Sequence, residues 1–335
     1  MNRTEHYWNK ALTRFGHVGV PGLRAFNGAV FTTAARMQLD RRRPVILHLD
    51  HPLIHVGDQI FFRPFVQHLK EAGFDVSMTH ARQLGFLFGD VRRAESRPQP
   101  GALVVSRHEV LRAALGLYGP AADYFVFYMA SRAIRRPIAN FFIEAFADWF
   151  DVPEVGRRID RTRILPFALF PDAVLAKFCL PETRPLIVLS NYIDSGLHRK
   201  LPWRERAMLR RAAHLKETTG GAVVHVGTTR DRERDGRDYS SLVDHDLRGR
   251  TTVQDLVHLL AAPNIHRVFC FDTAILHIAY LLNVETELFT RYYFAGTERE
   301  QKALAFYKFF ERVEDIPPSV KERQRRSRGL TGSLT

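Results

Sequence analysis

The sequence predicts an α/β protein with two Rossmann-like domains, each built on a parallel sheet. Short apolar runs alternate with helix-like segments along most of the chain, and a Pro- and Arg-rich stretch at 151–184 interrupts this alternation. Strands that alternate with helices at such spacing form parallel sheets with right-handed crossovers. The 335 residues, 45% hydrophobic and 25% charged, are enough for two ordinary domains with their own cores. We expect the two domains to face each other across a cleft.

The first half of the chain predicts four strands and three helices. Residues 44–49 form a short apolar run bounded by charge, which is typical of a strand buried on both faces. Gly73 ends the helical pattern that precedes it. The predicted strands are 44–49, 74–78, 102–106 and 124–130, and the predicted helices are 59–72, 108–116 and 138–150.

The alternation restarts after residue 184 and predicts a second domain with a polar loop at 228–250. Its predicted strands are 186–189, 222–226, 267–271 and 287–290, and its predicted helices are 203–217, 252–261, 273–282 and 298–311. The chain is therefore expected to comprise a basic N-terminal extension (1–43), a first domain (44–150), a linker (151–184), a second domain (185–311) and a basic C-terminal tail (312–335).

The chain carries a strong positive charge, with 49 Lys and Arg against 36 Asp and Glu, a net +13. Such a surface attracts polyanions, namely nucleic acid, anionic lipid or phosphorylated substrates. Much of the excess lies in the terminal arms, since residues 1–43 hold eight basic groups and two acidic ones. We expect an anionic membrane surface as a partner and no nucleic acid, because the Phe-rich segments follow core-like periodicity instead of interleaving with basic residues.

Cysteine content and hydropathy indicate the compartment. Cys179 and Cys270 are too few for a disulfide scaffold. No apolar run approaches the ~20 residues that cross a bilayer, and residues 1–43 lack the apolar core of a secretion signal. We therefore expect a cytoplasmic protein that associates peripherally with the inner membrane.

The first candidate site is the turn at 55–60, between the first predicted strand and its helix. Ligands of doubly wound folds bind at this edge of the sheet. Gly57 permits an unusual backbone angle or the close approach of a substrate. Taken alone, Asp58 is most simply a helix N-cap, and the alternative is a charged carboxylate that accepts a proton from a positioned hydroxyl.

The second candidate site is the segment 272–277, which follows a strand and opens a helix. Asp272 and Thr273 are good N-cap residues, and the same geometry offers free N–H groups and a positive helix end to a diphosphate. Thr273 adds a hydroxyl donor. His277 lies one turn further on the same helical face, where it reaches the ligand or fills the core.

The third candidate site is the segment 195–203, in which Arg199 and Lys200 either neutralise phosphate oxygens or belong to a solvated basic loop. Two weaker patterns are Asp244-His245-Asp246, a D-x-D motif, and a loose group of histidines at 48, 51 and 55. The D-x-D form occurs in metal-dependent sugar transferases, but a three-residue match is not specific, and the histidine spacing fits no standard zinc site, so we expect no bound metal. The chain also lacks P-loop and dinucleotide-binding motifs.

In this order, the segments resemble glycosyltransferase family 9, the ADP-heptose:lipopolysaccharide heptosyltransferases. The resemblance covers about 45–311. It departs from the family at Ala274, where the family has Gly, at Pro202-Trp203, which inverts its Trp-Pro, and at Glu285-Thr286, which replaces the proline region of its Val-Pro pattern. The matching segments are VGDQIFFRPFVQHLK from Val56, IVLSNYIDSGLHRKLPW from Ile187, AVVHVGTTRDRERD from Ala222, LRGRTTVQDLVHLLA from Leu247 and FDTAILHIAYLLNVETELF from Phe271.

The resemblance implies a GT-B fold that binds the donor mainly in the second domain and the acceptor in the first. It implies an inverting, metal-independent glycosyltransferase without a cofactor. The enzyme would move a heptose or related sugar from a nucleoside-diphosphate donor to lipopolysaccharide or another cell-surface glycan, and this acceptor would be a free or a lipid-linked glycan. Asp58 matches the catalytic base, and Lys200 matches the residue that stabilises the leaving diphosphate. The implied acceptor-binding residues are His55, Gly57 and Gln59. The implied donor-binding residues are Arg199, Gly227, Glu233 (or Asp231), Gly249, Asp272, Thr273, Ala274 and His277.

Two other functions stay open on the sequence. A sugar-nucleotide epimerase or hydrolase of the same fold predicts turnover of the donor without an acceptor. A non-catalytic basic module predicts polyanion binding with a steep salt dependence.

Overall fold

A computed structural model of the protein describes residues 44–48, 56–60, 62–94, 102–106, 123–126, 164–191, 202–235, 239–271 and 273–289. The chain divides into one unit of residues 1–166 with 308–310, and a second unit of residues 167–307 with 311–335. This division falls inside the predicted linker at 151–184, and the predicted domain boundaries stay predictions. Within the described residues, no helix is long and apolar enough to cross a membrane.

The first unit contains a five-stranded, all-parallel sheet in the order β3-β2-β1-β4-β5. The central strand β1 pairs with β2 on one side and with β4 on the other. Val45 and Leu47 of β1 are fully buried, as the sequence predicts for an apolar run between two neighbouring strands. The strands are β1 (Val45–His48), β2 (Val76–Thr79), β3 (Arg92–Arg93), β4 (Leu103–Ser106) and β5 (Asp123–Val126).

The predicted helix at 59–72 is two helices, α1 (Val56–Ile60) and α2 (Arg63–Glu71). Pro64 explains the break, because proline has no N–H to donate and is best tolerated in the first turn of a helix. Gly73 follows α2 with a φ of +85°, which confirms its predicted role in ending the helix. A 3₁₀ turn at Arg82–Leu84 was not predicted from the sequence.

A partly buried ion pair fixes α2 against the turn that precedes β3. Arg63 is fully buried, and its Nη1 and Nη2 donate to Asp90 Oδ1 and Oδ2 at 2.7 and 2.9 Å. Lys70 also pairs with Asp90, and Arg63 Nε donates to the carbonyl of Ile164. Burial raises the pKa of Asp90, but the hydrogen bonds and charges of Arg63 and Lys70 outweigh it and lower the pKa below its usual value.

The second unit contains another five-stranded parallel sheet, in the order β10-β9-β6-β7-β8. Its strands are β6 (Leu186–Ser190), β7 (Ala222–His225), β8 (His245–Asp246), β9 (Ile265–Cys270) and β10 (Thr286–Leu288). Its helices are α3 (Pro171–Lys177), α4 (Pro202–Thr219), α5 (Thr229–Asp235), α6 (Val253–Leu260) and α7 (Ala274–Leu281). Side chains of β6, β7 and β9 pack with Met208 and Ala212 of α4 to form the core on one face.

Three elements of the second unit differ from the sequence prediction. Helix α5 and strand β8 lie inside the predicted polar loop at 228–250, and α3 lies inside the predicted linker. Helix α3 is held to α6 by an ion pair between Lys177 and Asp255, whose N–O distance is 2.7 Å. The predicted helices 108–116, 138–150 and 298–311, the terminal arms and residues 127–130 lie outside the described residues.

Candidate functional site

Each sheet has a point where its strand order reverses, because the crossovers run to opposite sides of the first strand. In the first unit this point lies between β1 and β4, and in the second unit between β6 and β9. Open parallel sheets bind ligands at such points. Asn191 directly follows β6, and Thr273 lies between the end of β9 and the start of α7. These two residues therefore follow the carboxyl ends of β6 and β9, the two strands on either side of this point in the second unit.

Thr273 is the N-cap of α7, with φ −139° and ψ 176°, but its side chain makes no capping hydrogen bond. Its Oγ1 is buried and has no hydrogen-bond partner within the described part of the chain. Buried hydroxyls are normally hydrogen-bonded, and the exceptions need an explanation. The first N–H groups of α7 and the Thr273 hydroxyl together offer donors of the kind that bind phosphate oxygens.

Ala274 and His277 lie on α7, as predicted. Ala274 is the first residue of the helix and is half-buried, so its backbone is helical and its methyl group adds bulk at the helix end. His277 is one turn beyond Thr273 and is 7% exposed. Neighbouring positions of α7 are buried apolar residues, so His277 sits at the border between the core and the N-terminal end of the helix. Asp272 lies outside the described residues.

Gly227 and Gly249 are adjacent, since the N–H of Gly249 donates to the carbonyl of Gly227 at 2.9 Å. Gly249 has a φ of +75°, and a β-carbon there would lie 2.6 Å from Thr229 Oγ1 and 2.9 Å from Thr229 Cα. A β-carbon at Gly227 would lie 2.6 Å from Asp231 Oδ2. The two glycines thus allow the loop after β8 to pack against the start of α5, which explains them without a ligand. Their contact with a donor stays a prediction.

The start of α5 is capped from within. Thr228 N–H donates to Asp231 Oδ2 at 2.5 Å, and Asp231 N–H donates to Thr228 Oγ1 at 3.2 Å. This reciprocal capping box engages the Asp231 carboxylate. Glu233, the other candidate for contact with a ribose, lies further along α5 and is exposed.

The D-x-D motif is engaged in structural contacts. Asp244 accepts hydrogen bonds from Val223 N–H and Lys216 Nζ, at 2.8 and 3.0 Å. Burial raises the pKa of Asp244, but these hydrogen bonds and the Lys216 charge lower it overall. The bidentate pair with Arg248 is the main cause that lowers the pKa of Asp246. Among the described residues, no three His, Cys, Asp or Glu side chains are grouped to hold a metal ion.

A buried polar network, which the sequence analysis did not predict, lies at the carboxyl ends of β6 and β7. We call it the Asn191 network; it consists of Asn191, Glu205, His225 and Tyr239. Asn191 Nδ2 donates to Glu205 Oε1 at 2.9 Å and to Tyr239 Oη at 2.7 Å, and Asn191 Oδ1 lies 2.7 Å from His225 Nε2. The four residues are between 1% and 9% exposed. The clue in the sequence is a polar amide directly after an apolar strand.

In the first unit, Gln59 is 3% exposed and its Oε1 accepts a hydrogen bond from Ala81 N–H at 2.8 Å. This contact ties α1 to the segment after β2, so Gln59 has a structural contact beside its predicted role in acceptor binding. Gly57 is buried in α1. Asp58 is the third residue of α1, and the residues directly before Val56 lie outside the described ones, so its helix N-cap and its catalytic role both stay predictions. His55, Arg199 and Lys200 lie outside the described residues.

No protein-family model matches the sequence, and no curated protein matches it significantly. Solved structures do match. The crystal structure of the glycosyl transferase family 9 from Veillonella parvula DSM 2008 has a TM-score of 0.56 and 14% identity, covering 88% of this chain and 92% of that chain. E. coli ADP-heptose lipopolysaccharide heptosyltransferase II has a TM-score of 0.51 and 14% identity, covering 87% and 100% of the two chains.

A third structure, the iron-containing dodecameric glycosyltransferase TibC from enterotoxigenic E. coli H10407, has a TM-score of 0.44 and 13% identity, covering 75% of this chain and 59% of that chain. The first two matches confirm the resemblance to family 9 at the level of the fold. This chain has the α/β fold, with parallel sheets, of the GT-B glycosyltransferases.

Proposed function

We propose that this protein is an inverting glycosyltransferase, which moves a heptose or related sugar from a nucleoside-diphosphate donor to lipopolysaccharide or another cell-surface glycan. The observation that carries the proposal is the Thr273 hydroxyl, buried at the N-terminal end of α7 with no hydrogen-bond partner among the described residues. A hydroxyl in that position costs free energy unless a ligand completes its hydrogen bonds. A donor diphosphate at the helix end supplies such acceptor oxygens.

The leaving group of this reaction is a nucleoside diphosphate, on which negative charge builds up as the anomeric bond breaks. In our proposal, Lys200 and Arg199 neutralise that charge, together with the N–H groups of α7 and the Thr273 hydroxyl. Preorganised donors aimed at developing charge are a major source of catalytic power. Because these cations and N–H groups take the place that a metal ion occupies in other transferases, we predict transfer without a divalent metal.

Asp58 acts as the general base in the proposed reaction. Its carboxylate accepts the proton of the acceptor hydroxyl, whose oxygen forms a bond to the anomeric carbon from the face opposite the diphosphate. The bond from that carbon to the diphosphate oxygen breaks at the same time, so the anomeric configuration inverts. Asp58 follows Gly57 in α1, the first helix after β1, and a doubly wound sheet binds its ligand at the carboxyl ends of its strands.

The acceptor binds to the first unit in this proposal, at the turn of His55, Gly57 and Gln59. The hydrogen bond from Ala81 to Gln59 supports the proposal by fixing α1 against the neighbouring segment. The basic arms at 1–43 and 312–335 hold the enzyme on an anionic membrane surface beside a lipid-linked acceptor, through attraction worth ~1 kcal/mol per basic residue near the surface.

The test is sugar transfer by the purified protein, from a panel of nucleoside-diphosphate heptoses and hexoses to rough-type lipopolysaccharide, with EDTA present. We expect Asp58→Asn to lower kcat by about 10² to 10⁴, the range attributed to general-base catalysis. Asp75→Asn is the matched control, because it removes an exposed carboxylate, 57% accessible, of the same unit. Full activity of Asp58→Asn contradicts the assigned base. Donor turnover at an undiminished rate without acceptor favours a hydrolase or epimerase instead.

A further inference from the structure

Helix α3 of the second unit presents an apolar face to solvent. Its side chains Val174 and Leu175 are buried, as is Phe178 at its C-cap. The other side of the helix, with the residues just before it, carries exposed apolar side chains at helical spacing, so they share one surface. We call this surface the α3 patch; it consists of Ala168, Leu169, Phe170, Ala173 and Ala176.

Leu169 and Phe170 are the large side chains of the α3 patch. Among the described residues they are the two large apolar side chains that are exposed, with 37% and 60% of their surface accessible, and they are neighbours in the sequence. Single exposed apolar residues are common on protein surfaces, whereas a contiguous group marks a contact with a partner or a membrane. The α3 patch therefore indicates an interaction surface.

His258 of α6 holds Phe170 in its exposed position. The N–H of Phe170 donates to His258 Nδ1 at 3.2 Å, and the centres of the two rings lie 5.9 Å apart. Phe167 packs edge-on against the same imidazole, with ring centres 5.7 Å apart. Burial lowers the pKa of His258, against the opposing charge of Asp255, so Nδ1 stays an acceptor at neutral pH. The backbone of Phe170 is thus fixed in advance, which reduces the ordering cost of binding.

The size of the α3 patch favours a lipid bilayer over a second protein as its partner. A specific protein interface buries about 800 Å² on each side and involves about 20 to 30 residues of each protein. The α3 patch has five residues, of which three are alanine, so it is far smaller than such an interface. A bilayer needs no complementary shape, because it takes up single apolar side chains at the boundary between its headgroups and its acyl chains.

The charge of the chain favours an anionic bilayer. Beside α3, the cations Lys177 and Arg250 are matched by the acids Asp172 and Asp255. The attraction to anionic lipid therefore comes from the chain as a whole, whose net charge is +13. Weak apolar insertion and electrostatic attraction hold a protein on a membrane when they act together, although one such signal alone gives only marginal binding.

We propose that the α3 patch is a membrane-docking surface, at which Leu169 and Phe170 insert between the headgroups of an anionic bilayer. This inference goes beyond the proposed function, because it assigns a membrane contact to the second unit and does not depend on which reaction the protein catalyses. It predicts that the two side chains contribute to membrane binding even where salt screens the charges of the protein and the lipid.

The test is co-sedimentation of the full-length protein with vesicles of phosphatidylcholine that contain about 30% phosphatidylglycerol, at about 0.1 and 0.5 M NaCl. We expect Leu169→Ser combined with Phe170→Ser to lower the partition coefficient about tenfold at both salt concentrations. The unfolding temperature is expected to change little, because both side chains are exposed. Equal binding of the wild type and the double variant overturns the proposal, and so does a wild type that binds no vesicles.

Fluorescence identifies the side chain that enters the bilayer. Phe170→Trp keeps an aromatic ring in the α3 patch, and Thr218→Trp is the matched control, because it places the same ring at an exposed position of α4. The three Trp residues of the wild type set the background. With vesicles that contain brominated lipid, we expect quenching of the emission that Phe170→Trp adds and no quenching of the emission that Thr218→Trp adds. Equal quenching of the two variants overturns the proposal.

A second copy of this chain is the alternative occupant of the α3 patch. Light scattering after size-exclusion chromatography measures the mass of the particle in solution. We expect the same mass for the wild type and for the variant with Leu169→Ser and Phe170→Ser. A dimeric wild type that the two substitutions convert into a monomer assigns the patch to a protein interface, and it overturns the proposal.

Discussion

Replacing Thr273 by Val is expected to stabilise the protein and to weaken nucleotide binding. Val has nearly the shape of Thr, with a methyl group in place of Oγ1. That Oγ1 is buried and without a partner among the described residues, and it does not cap α7. The folded state therefore bears the cost of removing a hydroxyl from water without a compensating hydrogen bond, and the substitution relieves that cost.

The size of each effect follows from these contacts. A buried hydroxyl without a partner costs about 1 to 3 kcal/mol, so we expect a gain of about 1 kcal/mol in the free energy of unfolding, after losses from imperfect packing. A hydrogen bond to a charged phosphate is worth about 1.5 kcal/mol or more, so the Kd for the bound nucleoside diphosphate rises about tenfold. Stability and affinity thus change in opposite directions.

Urea unfolding measures the first effect and isothermal calorimetry the second. Thr251→Val is the control, because Thr251 Oγ1 is also buried without a partner in the described part of the chain, and we assign it no role in binding. It is expected to gain stability and keep its affinity. A Thr273→Val protein that is less stable than the wild type and binds with unchanged Kd refutes the reasoning, since Thr273 then serves the fold alone.

Three further predictions concern stability. Asp90→Asn leaves the buried Arg63 guanidinium without a counter-charge and is expected to lower the free energy of unfolding by about 3 kcal/mol in urea titrations, whereas Asp75→Asn changes it by less than about 0.5 kcal/mol. Gly249→Ala places a β-carbon 2.6 Å from Thr229 Oγ1 at a residue with a φ of +75°, so we expect the free energy of unfolding to fall by about 2 kcal/mol and the unfolding temperature to fall with it. An unchanged unfolding temperature contradicts the packing of Gly249 against Thr229. Burial lowers the pKa of His68 from 6.5 to about 4. Between these pH values the unfolded chain therefore binds a proton that the folded chain does not. The free energy of unfolding is expected to fall by about 3 kcal/mol as the pH drops from 6.5 to 4. His68→Leu is expected to reduce that slope in urea titrations at several pH values, and an unchanged slope excludes His68 as its origin.

The strands were predictable because parallel sheets bury both faces of each strand, which leaves short apolar runs such as Leu186–Ser190. Helix α5 was not predictable, because its sequence, TRDRERD, has no apolar periodicity. Its start is nevertheless encoded locally, in the capping residues Thr228 and Asp231. The split between α1 and α2 is encoded as well, in Pro64.

The candidate site was predictable where it depends on residues that are neighbours in the sequence. Thr273 was identified because it follows a strand and precedes an apolar helix. The state of its hydroxyl depends on packing around the helix end, which a linear pattern does not contain. The Asn191 network joins residues 14 to 48 positions apart, so no local motif describes it. Gly227 and Gly249 were identified by resemblance, while their contacts with α5 emerge only from the fold.

The central claim is that the second unit binds the nucleoside diphosphate of a sugar donor at the carboxyl ends of β6 and β9. The most direct test is calorimetric titration of ADP, UDP, GDP and CDP into the wild-type protein with EDTA present. We expect saturable binding that is selective for one base and is weakened by Lys200→Ala. Folded protein that binds none of the four nucleotides, with or without a divalent metal, contradicts it.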